Sequence, residues 1–596
     1  MSEGRYSSMS VIKALEFSSV FHGCCRVSVK KVLTCMTRDR AALLAATLNR
    51  LYCNKAPGNI VYMLSAEDKK RVELIRRVAF AVEKDAKRGY NDVVAFDITP
   101  LEILRIALSM NPNSMREEPD ANIDKIHWAL VKSVTQINED LMLYTINKKD
   151  DLQVAKLVMV NSASYNDVLK DDKDAYLYQV TQSFLFFKLL EGTPKYQGLL
   201  NAFYDYFGIN SWKEYVRTVY SIALMSFKED TGVLRKTIET DPPGMLSLSV
   251  LNRLSIDVEN EVFPYSSKDE FDREGNSDFR QLKSRPLLRL SDGNYVIHNT
   301  RLLIDRLFCS LYFDFQSIDE KLEDKHPDVA GLFTEMFAEK TMFAGFLNDC
   351  LLAGVYDSFE EKQLKKIYKI KDGEPGYPDF YLRNKSANTA ILFECKDIRL
   401  NAWIKGNRDY SILEEELRNK IVVKTYKLDN EKKCRISVEP KRIGVGQLAA
   451  HAVNIRKGLF PWDKELPVDC TIYPVLVIAD NRLIFDGLPY LAQQWYEERL
   501  KVEGGELNST RPLIMMSPLT FLKYKPLFRE KGFEYYFEAY YSSLKNERTG
   551  SIVDIVNSMI SFDDYMNQFS FSLEDLRVEI MNTLYTSEGF KSMQIE

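Results

Sequence analysis

The sequence predicts a multidomain protein with a mainly α-helical N-terminal region and an α/β C-terminal region. Three observations predict this class. The chain has 596 residues, which is too long for one hydrophobic core, because domains usually contain about 100–200 residues. Up to about residue 255, apolar residues recur at the three- and four-residue spacing of amphipathic helices. Beyond that point, short apolar runs separated by turn residues predict strands as well as helices.

Composition narrows the class of protein. Hydrophobic residues make up 45% of the chain and charged residues 28%, as in soluble globular proteins. The nine cysteines include no C-x-x-C pair, and five histidines are few, so neither a zinc site nor a disulfide framework is expected. We find no apolar run long enough to span a membrane and no secretory signal pattern, so we expect a cytoplasmic protein without a membrane partner. A net charge of -5 means that nucleic-acid binding would require a local basic surface.

The N-terminal region, residues 1–255, is predicted to be helical from segments such as RDRAALLAATLNRLY and DAYLYQVTQSFLFFKLLEG. It contains no recognisable catalytic cluster. We therefore expect it to regulate the protein, to recognise substrate or to bind a partner, either another protein or a second copy of the chain. Helix-breaking and polar residues at 240–245 and 264–284 place a boundary between these two stretches.

A connecting α/β segment is predicted over residues 256–327. Within it, residues 286–299 place Ser-Asp-Gly-Asn between two apolar runs, which predicts a β-hairpin. A C-terminal domain follows over residues 328–596. Its predicted order is a helix (328–352), strands at 363–370, 378–382 and 389–397, a charged helical insertion, a helix (446–455) and a strand (473–480).

Charged residues stand at one end of the apolar hairpin YPDFYLRNKSANTAILFECKD, residues 377–397. Strand side chains alternate between faces, so Glu394 and Lys396 project together. If the turn is centred between residues 386 and 387, Asp379 lies directly opposite Glu394. The sequence therefore predicts two carboxylates and one ammonium group in a single patch.

Two adjacent carboxylates repel each other, and burying them is costly unless a cation neutralises them. Asp379, Glu394 and the backbone carbonyl of Cys395 form a hard oxygen donor set that suits Mg²⁺ or Mn²⁺. Lys396 beside such an ion could orient or deprotonate water and balance the charge of a phosphate, which together favour phosphodiester hydrolysis.

The P-D pair at Asp379, followed fifteen residues later by E-C-K, resembles the PD-(D/E)xK superfamily of restriction-endonuclease-like nucleases. The order of elements from 328 to 480 is also similar to that superfamily's core. The resemblance implies a restriction-endonuclease-like fold over residues 328–596, with an insertion and a C-terminal extension. It further implies a Mg²⁺- or Mn²⁺-dependent nuclease, with DNA favoured over RNA as the substrate and internal favoured over terminal cleavage, although the sequence itself distinguishes neither pair.

The same resemblance implies roles for two further residues. Glu335 resembles the acidic residue on the first core helix, where it would be a further metal ligand, and Gln447 resembles a polar residue on the second. A helical N-terminal half joined to such a core also resembles bacterial anti-phage defence effectors.

Several alternatives remain open at this stage. Asp379, Glu394 and Lys396 could form a solvated ion-pair face, Glu339 could take the place of Glu335, and Gln447 could simply cap its helix. Basic residues at 362–371 and 420–442 could bind phosphates or merely be solvated. The alternative function is a non-catalytic nucleic-acid-binding or scaffolding subunit with a nuclease-like fold.

Overall fold

The structure is a computed structural model. The chain folds into two compact units. It describes residues 11–65, 68–87, 90–116, 123–141, 151–169, 175–228, 233–234, 246–263, 279–322, 328–371, 374–401, 404, 409–429, 434–544, 559–570 and 573–584. The helical unit contains the described residues of Ser10–Thr145, Asp167–Val329 and Glu574–Glu596. The sheet unit contains those of Ile146–Asn166 and Ala330–Leu573.

The strands of the described residues belong to four sheets. They are β1 (Val11–Ala14), β2 (Tyr90–Val93), β3 (Val233–Leu234), β4 (Ser255–Asp257), β5 (Leu287–Arg289), β6 (Tyr295–Ile297), β7 (Asp357–Glu360), β8 (Phe380–Asn384), β9 (Thr389–Lys396), β10 (Val423–Asp429), β11 (Cys434–Arg442), β12 (Thr471–Ile478) and β13 (Ile514–Met516).

The helical unit is built mainly from α-helices around an aromatic core. The rings of Phe187 and Trp212 stack with centroids 5.3 Å apart, and those of Phe203 and Phe315 stack at 5.0 Å. Its described α-helices are Phe17–Val20, Val29–Leu33, Arg38–Leu51, Lys70–Ala86, Ile98–Ser109, Ile123–Leu141, Ala175–Glu191, Gln197–Phe207, Trp212–Lys228, Leu248–Arg253, Arg280–Ser284, Thr300–Asp305, Leu311–Asp319 and Glu574–Leu584. Short 3₁₀ helices span Pro57–Met63, Pro112–Ser114 and Pro194–Tyr196.

Two small sheets complete the helical unit. Strands β1 and β2 pair in parallel, and β3-β6-β5-β4 form a second sheet. The predicted hairpin at 286–299 is confirmed, because β5 and β6 pair antiparallel with Leu288 opposite Val296. Gly293, with a φ of 81°, provides the left-handed conformation that this turn requires. Much of the predicted boundary around 240–245 and 264–284 lies outside the described residues.

The sheet unit is centred on a mixed five-stranded sheet of order β13-β12-β9-β8-β7. Strand β12 pairs in parallel with β13 and β9, whereas β8 pairs antiparallel with β9 and β7. The described helices are Asp151–Leu169, Val329–Gly331, Gly345–Cys350, Glu361–Ile367, Tyr410–Ile421, Val445–Arg456, Leu488–Val502, Pro518–Leu544 and Phe562–Met566, with a π-helix at Leu332–Ala344 and 3₁₀ helices at Asn481–Leu483 and Leu507–Ser509. Strands β10 and β11 form a separate two-stranded ribbon.

Both faces of the central sheet are covered, which explains why β9 and β12 are almost continuously apolar. Ala390 and Leu392 of β9 belong to the apolar cluster that includes residues of helix Val445–Arg456. Phe393 and Cys395 belong to the opposite cluster, which includes residues of helix Pro518–Leu544. Four of the five aromatic residues at 535–541 also pack there: Tyr536, Phe537, Tyr540 and Tyr541 are buried in the core, whereas Tyr535 is 52% exposed.

Helix Asp151–Leu169 packs in the sheet unit although it precedes that unit's other elements by more than 150 residues of sequence. Ala155, Met159 and Ala163 are buried in the same apolar cluster as Leu488. A Cβ on Gly487 would lie 2.7 Å from the backbone oxygen of Ala155, so the helix and this glycine are in close contact. The unit therefore includes a helix from within the region 1–255, and residues 279–322 belong to the helical unit.

At the level of secondary structure, the prediction of a helix-rich mixed α/β multidomain chain is confirmed. The predicted strand at 363–370 is wrong, because Glu361–Ile367 is a helix capped reciprocally by Glu360 and Gln363. The strand that pairs with β8 is instead β7. The predicted charged insertion contains the helix Tyr410–Ile421 as well as the β10–β11 ribbon. None of the described helices is both long enough and apolar enough to span a membrane.

Candidate functional site

The β8–β9 hairpin has the register predicted from the sequence. Phe380 pairs with Phe393 and Asn384 with Thr389, so one further step along the ladder places Asp379 opposite Glu394. The Asn384 side chain accepts a hydrogen bond from the Ala387 amide at 3.0 Å, and Asn388 adopts a left-handed conformation with φ 51°. Asparagine tolerates both roles, and this explains how a short polar turn fixes the register.

Three charged groups meet at the end of this hairpin. Lys396 Nζ donates to Glu394 Oε2 at 2.9 Å and to Asp379 Oδ2 at 3.2 Å. The backbone amide of Cys395 donates to the same Asp379 oxygen at 2.7 Å. The structure thus brings together Asp379, Glu394 and Lys396, which lie fifteen and two residues apart in sequence.

Glu394 is the most deeply buried member of this group, with 0% of its side chain exposed. Its Oε1 atom has no hydrogen-bond partner among the described residues. Burial raises the pKa of Glu394 well above its usual range, and the charge of Asp379 adds to the increase, while Lys396 opposes it. A buried, half-satisfied carboxyl in the central strand is costly for a purely structural role.

Lys396 is one-fifth exposed and is the cation of the group. Burial acts to lower the pKa of Lys396, but Asp379 and Glu394 outweigh burial and raise it above the ordinary lysine value. The ammonium therefore stays charged at neutral pH, and any proton taken up at the site resides on a carboxylate.

Glu339, on the π-helix Leu332–Ala344, is the acidic residue of this helix that interacts with the group. Burial raises the pKa of Glu339 to about 7, the charge of Asp379 adds to the shift and Lys396 opposes it. We use the name charged cluster for Asp379, Glu394, Lys396 and Glu339. Three carboxyl groups around one ammonium leave an excess of negative charge, which a proton or a further cation would relieve.

Glu335 was predicted as a site residue, but its position differs from that prediction. Its side chain is 62% exposed and forms an ion pair with Lys340 at 2.6 Å. The prediction rested on the resemblance to the nuclease superfamily. In the structure these residues form a π-helix, with Thr341 Oγ1 donating to the carbonyl of Met336 five residues earlier. Glu339 was the alternative at the sequence level, and the structure favours it.

Gln447 is buried at the start of helix Val445–Arg456 and has two structural contacts. Its Oε1 accepts a hydrogen bond from the Gly444 amide at 3.1 Å, which caps the helix. A Cβ on Gly376 would lie 2.7 Å from its Nε2, so Gln447 also supports the loop that leads to Asp379. These contacts match the capping alternative.

A second set of charges follows the carboxyl ends of the parallel strands β9 and β12. Asp397 accepts from Arg399 at 2.8 Å, and Asp480 accepts from Arg482 at 2.6 Å. The ends of the two strands are adjacent, since the Ala479 amide donates to the Lys396 carbonyl. Neither Asp397 nor Asp480 was predicted from the sequence, although both follow an apolar strand directly, which is the usual position of functional side chains in parallel sheets.

The donor set of the charged cluster is compatible with a hard divalent cation. Carboxylate oxygens of Asp379 and Glu394, including the unpartnered Oε1, are ligands of the type that Mg²⁺ and Mn²⁺ prefer. The Cys395 thiol lies in the opposite apolar face, so only its backbone could contribute. Within the described residues, no group of three or more His, Cys, Asp or Glu side chains is arranged to hold a metal ion. In the cluster, Lys396 Nζ lies within hydrogen-bonding distance of both carboxylates.

Comparison of the chain with protein-family models, with curated proteins and with solved structures finds no significant match. The chemistry of the cluster must therefore be argued from its residues.

Proposed function

We propose that this protein is a metal-dependent nuclease that hydrolyses phosphodiester bonds of DNA. The observation that supports the proposal is that a single ammonium group, that of Lys396, forms hydrogen bonds with Asp379 and with the fully buried Glu394. An ion-pair face on the protein surface has no need to bury a carboxyl with one oxygen unpartnered. A site that must hold a divalent cation does need such an oxygen.

Asp379 and Glu394 would hold the Mg²⁺ or Mn²⁺ ion, and the half-buried Glu339 would add negative charge nearby. Such an ion, when bound, supplies Lewis-acid activation of a phosphodiester and of the attacking water. Lys396, charged and partly exposed, would orient that water and offset negative charge as it develops on the phosphate. Gln447 would act indirectly, by fixing the loop before Asp379.

The alternative function, a non-catalytic nucleic-acid-binding subunit, is favoured by one observation. Lys396 already forms ion pairs with both carboxylates, and such a compensated group could persist without a metal. The two functions differ in whether the chain cleaves its ligand, so one experiment separates them.

The test is incubation of the purified full-length protein with duplex DNA, single-stranded DNA and RNA, each with Mg²⁺, Mn²⁺ or EDTA. We expect cleavage of DNA that requires the metal and that falls at least about a hundredfold in Asp379→Asn and Glu394→Gln, because metal activation contributes several kcal/mol. Glu335→Gln, an exposed change on the adjacent helix, is the matched control and should retain activity. Metal-independent cleavage, or binding without cleavage under every condition, would contradict the proposal.

A further inference from the structure

The β10–β11 ribbon lies between helices Tyr410–Ile421 and Val445–Arg456 and is separate from the central sheet. Its strands pair antiparallel from Val423 opposite Arg442 to Asp429 opposite Cys434, with an irregularity after Lys424. At about 3.3 Å per residue, seven residues give an arm of roughly 20 Å. The ribbon contributes no strand to the central sheet. It is therefore available for a role other than completing that sheet.

One face of the ribbon is held firmly to the sheet unit. The buried Tyr426 donates from its hydroxyl to Glu416 at 2.7 Å, and its amide donates to Asn419 at 3.0 Å. At the base of the ribbon, Arg442 forms hydrogen bonds with both carboxylate oxygens of Glu503 at 2.9 and 3.0 Å. These contacts fix the orientation of the arm, so its other side chains are presented in a defined arrangement.

The exposed residues of the ribbon are strongly basic, in contrast to the chain as a whole. Lys424 lies directly opposite Lys441, and both are exposed. Like charges in directly opposed positions destabilise a β-ribbon unless an anion lies against them. These two lysines and Lys427 form no ion pair within the described part of the chain. Strands β10 and β11 together carry five basic and two acidic residues: Lys424, Lys427, Arg435, Lys441 and Arg442 against Asp429 and Glu439.

Of the three lysines, Lys427 lies on the face opposite Tyr426, whereas strand alternation puts Lys424 and Lys441 on the face of Tyr426. Lys427 lies opposite Ile436, which is 40% exposed, whereas Thr425 donates from its amide and its hydroxyl to Asn419. An exposed apolar side chain can contact a thymine methyl group.

The base of the ribbon lies beside the charged cluster. Strand β11 leads into Gly444, where a Cβ would lie 3.2 Å from Leu476 Cδ1. Leu476 in turn pairs with Glu394 in the β12–β9 register. A nucleic acid bound along the ribbon would therefore extend toward Glu394.

We propose that the β10–β11 ribbon is a DNA-binding arm that enters the major groove of a duplex, with Lys424, Lys427 and Lys441 contacting phosphates. That the bound duplex is then cut rests on the proposed nuclease function. The major groove of B-form DNA is about 12 Å wide and admits a two-stranded ribbon. The major groove of A-form RNA is too narrow for side chains to read, so the arm selects duplex DNA over duplex RNA.

The test is a binding measurement in EDTA, which separates binding from cleavage. Fluorescence anisotropy of labelled duplex DNA is followed from 50 to 200 mM salt for the parent and for the triple variant Lys424→Gln, Lys427→Gln, Lys441→Gln. Each lost phosphate contact makes the slope of log affinity against log salt shallower by about 0.9, so we expect a change of roughly 2–3. We also expect at least a tenfold loss of affinity near 100 mM salt. The single variant Lys427→Gln should change the slope by about 1.

The matched control removes three exposed lysines from other elements, Lys55, Lys464 and Lys531, and should leave the slope unchanged. A ribbon variant that binds DNA like the parent would overturn the proposal even if the parent cleaves DNA. Equal affinity for duplex RNA with the same lysine dependence would overturn the choice of the DNA major groove. Lysine-dependent DNA binding without cleavage would support the arm and contradict the nuclease function.

Discussion

Lys396 donates a hydrogen bond from Nζ to Oε2 of the fully buried Glu394 at 2.9 Å. This pair links two requirements of the proposed site. The ammonium stabilises the carboxylate in the absence of a metal, and it carries the positive charge that a phosphodiester would meet. Removing the lysine should therefore slow cleavage without weakening metal binding.

Lys396→Ala should bind Mn²⁺ as tightly as the parent or more tightly, because Asp379 and Glu394 lose their compensating charge. The same variant should cleave DNA at least about a hundredfold more slowly, since water and phosphate are no longer positioned. Isothermal calorimetry with Mn²⁺ and a cleavage assay measure the two effects. Asp379→Ala is the comparison, and it should lose Mn²⁺ affinity with activity. Loss of Mn²⁺ binding in Lys396→Ala would show that the lysine does not compete with the metal.

Glu339→Gln should reduce cleavage by about tenfold or more, whereas Glu335→Gln should leave it within about twofold of the parent. Glu339 is half-buried, and the charges of Asp379 and Lys396 act on its pKa, while Glu335 is exposed and paired with Lys340. The two variants make the same chemical change on one helix, so rates of cleavage at fixed metal concentration compare them directly. The reverse order of effects would restore the assignment made from sequence.

Gly487→Ala should destabilise the protein by about 1–3 kcal/mol more than Gly354→Ala. Both glycines have positive φ, 84° and 75°, so both variants carry the strain of a left-handed alanine. Only at Gly487 would the new Cβ clash with a neighbour, the backbone oxygen of Ala155, whereas nothing lies within 4 Å at Gly354. Urea unfolding of both variants measures the difference. Equal losses of stability would mean that helix Asp151–Leu169 does not pack as described.

A fragment that begins near residue 256 would lack this helix. Because Ala155 and Met159 are buried in the core of the sheet unit, such a fragment would expose the apolar surface that they cover. We expect it to aggregate or to melt at a lower temperature. The question of what the helical unit regulates is therefore better addressed by point variants in the full chain.

Asp92→Asn should stabilise the protein at pH 8 and have little effect at pH 4.5. Asp92 is buried with both carboxylate oxygens unpartnered, and it lies opposite Lys13, which is paired with Asp85 and Glu16. Burial raises the pKa of Asp92 to about 7, Asp85 and Glu16 add to the shift, and Lys13 opposes it.

Since the folded state holds this proton more tightly than the unfolded state, the free energy of unfolding falls as pH rises from about 4 to about 7. Thermal unfolding of parent and variant across pH 4.5 to 8 should show melting temperatures that diverge as pH rises from about 4.5 to about 7 and then differ by a constant amount, with the asparagine variant more stable by at least about 1 kcal/mol at pH 8. A constant difference across the range would show that Asp92 does not titrate there.

The local geometry of the hairpin could be predicted from sequence because strand alternation and turn length fix it. Two residues in the turn, Asn384 and Asn388, and the apolar alternation of β9 determine the register that places Asp379 opposite Glu394. In contrast, the choice between Glu335 and Glu339 depended on the π-helix, whose hydrogen-bonding pattern leaves no distinct periodicity in sequence.

Contacts between residues that are far apart in the chain also could not be predicted from the sequence. Helix Asp151–Leu169 packs against Gly487 and Leu488, and nothing in its own sequence indicates these partners. The segment 363–370 was predicted as a strand from its apolar residues, but the reciprocal cap between Glu360 and Gln363 starts a helix. The β10–β11 ribbon was not predicted, because the many charged residues of its segment indicated only a helical insertion.

The two units are interleaved along the chain, and this imposes an order on their assembly during synthesis. Helix Asp151–Leu169 cannot pack against Gly487 and Leu488 until the ribosome has synthesised them. At a translation rate of about 5–20 residues per second, this takes roughly 15–70 seconds. Meanwhile its apolar face has no native partner. The helical unit waits even longer, since helix Glu574–Leu584 packs against helices Ala175–Glu191 and Trp212–Lys228. Nascent chains of this protein should therefore depend on chaperone protection until helix Glu574–Leu584 has been synthesised, although each unit is compact once formed.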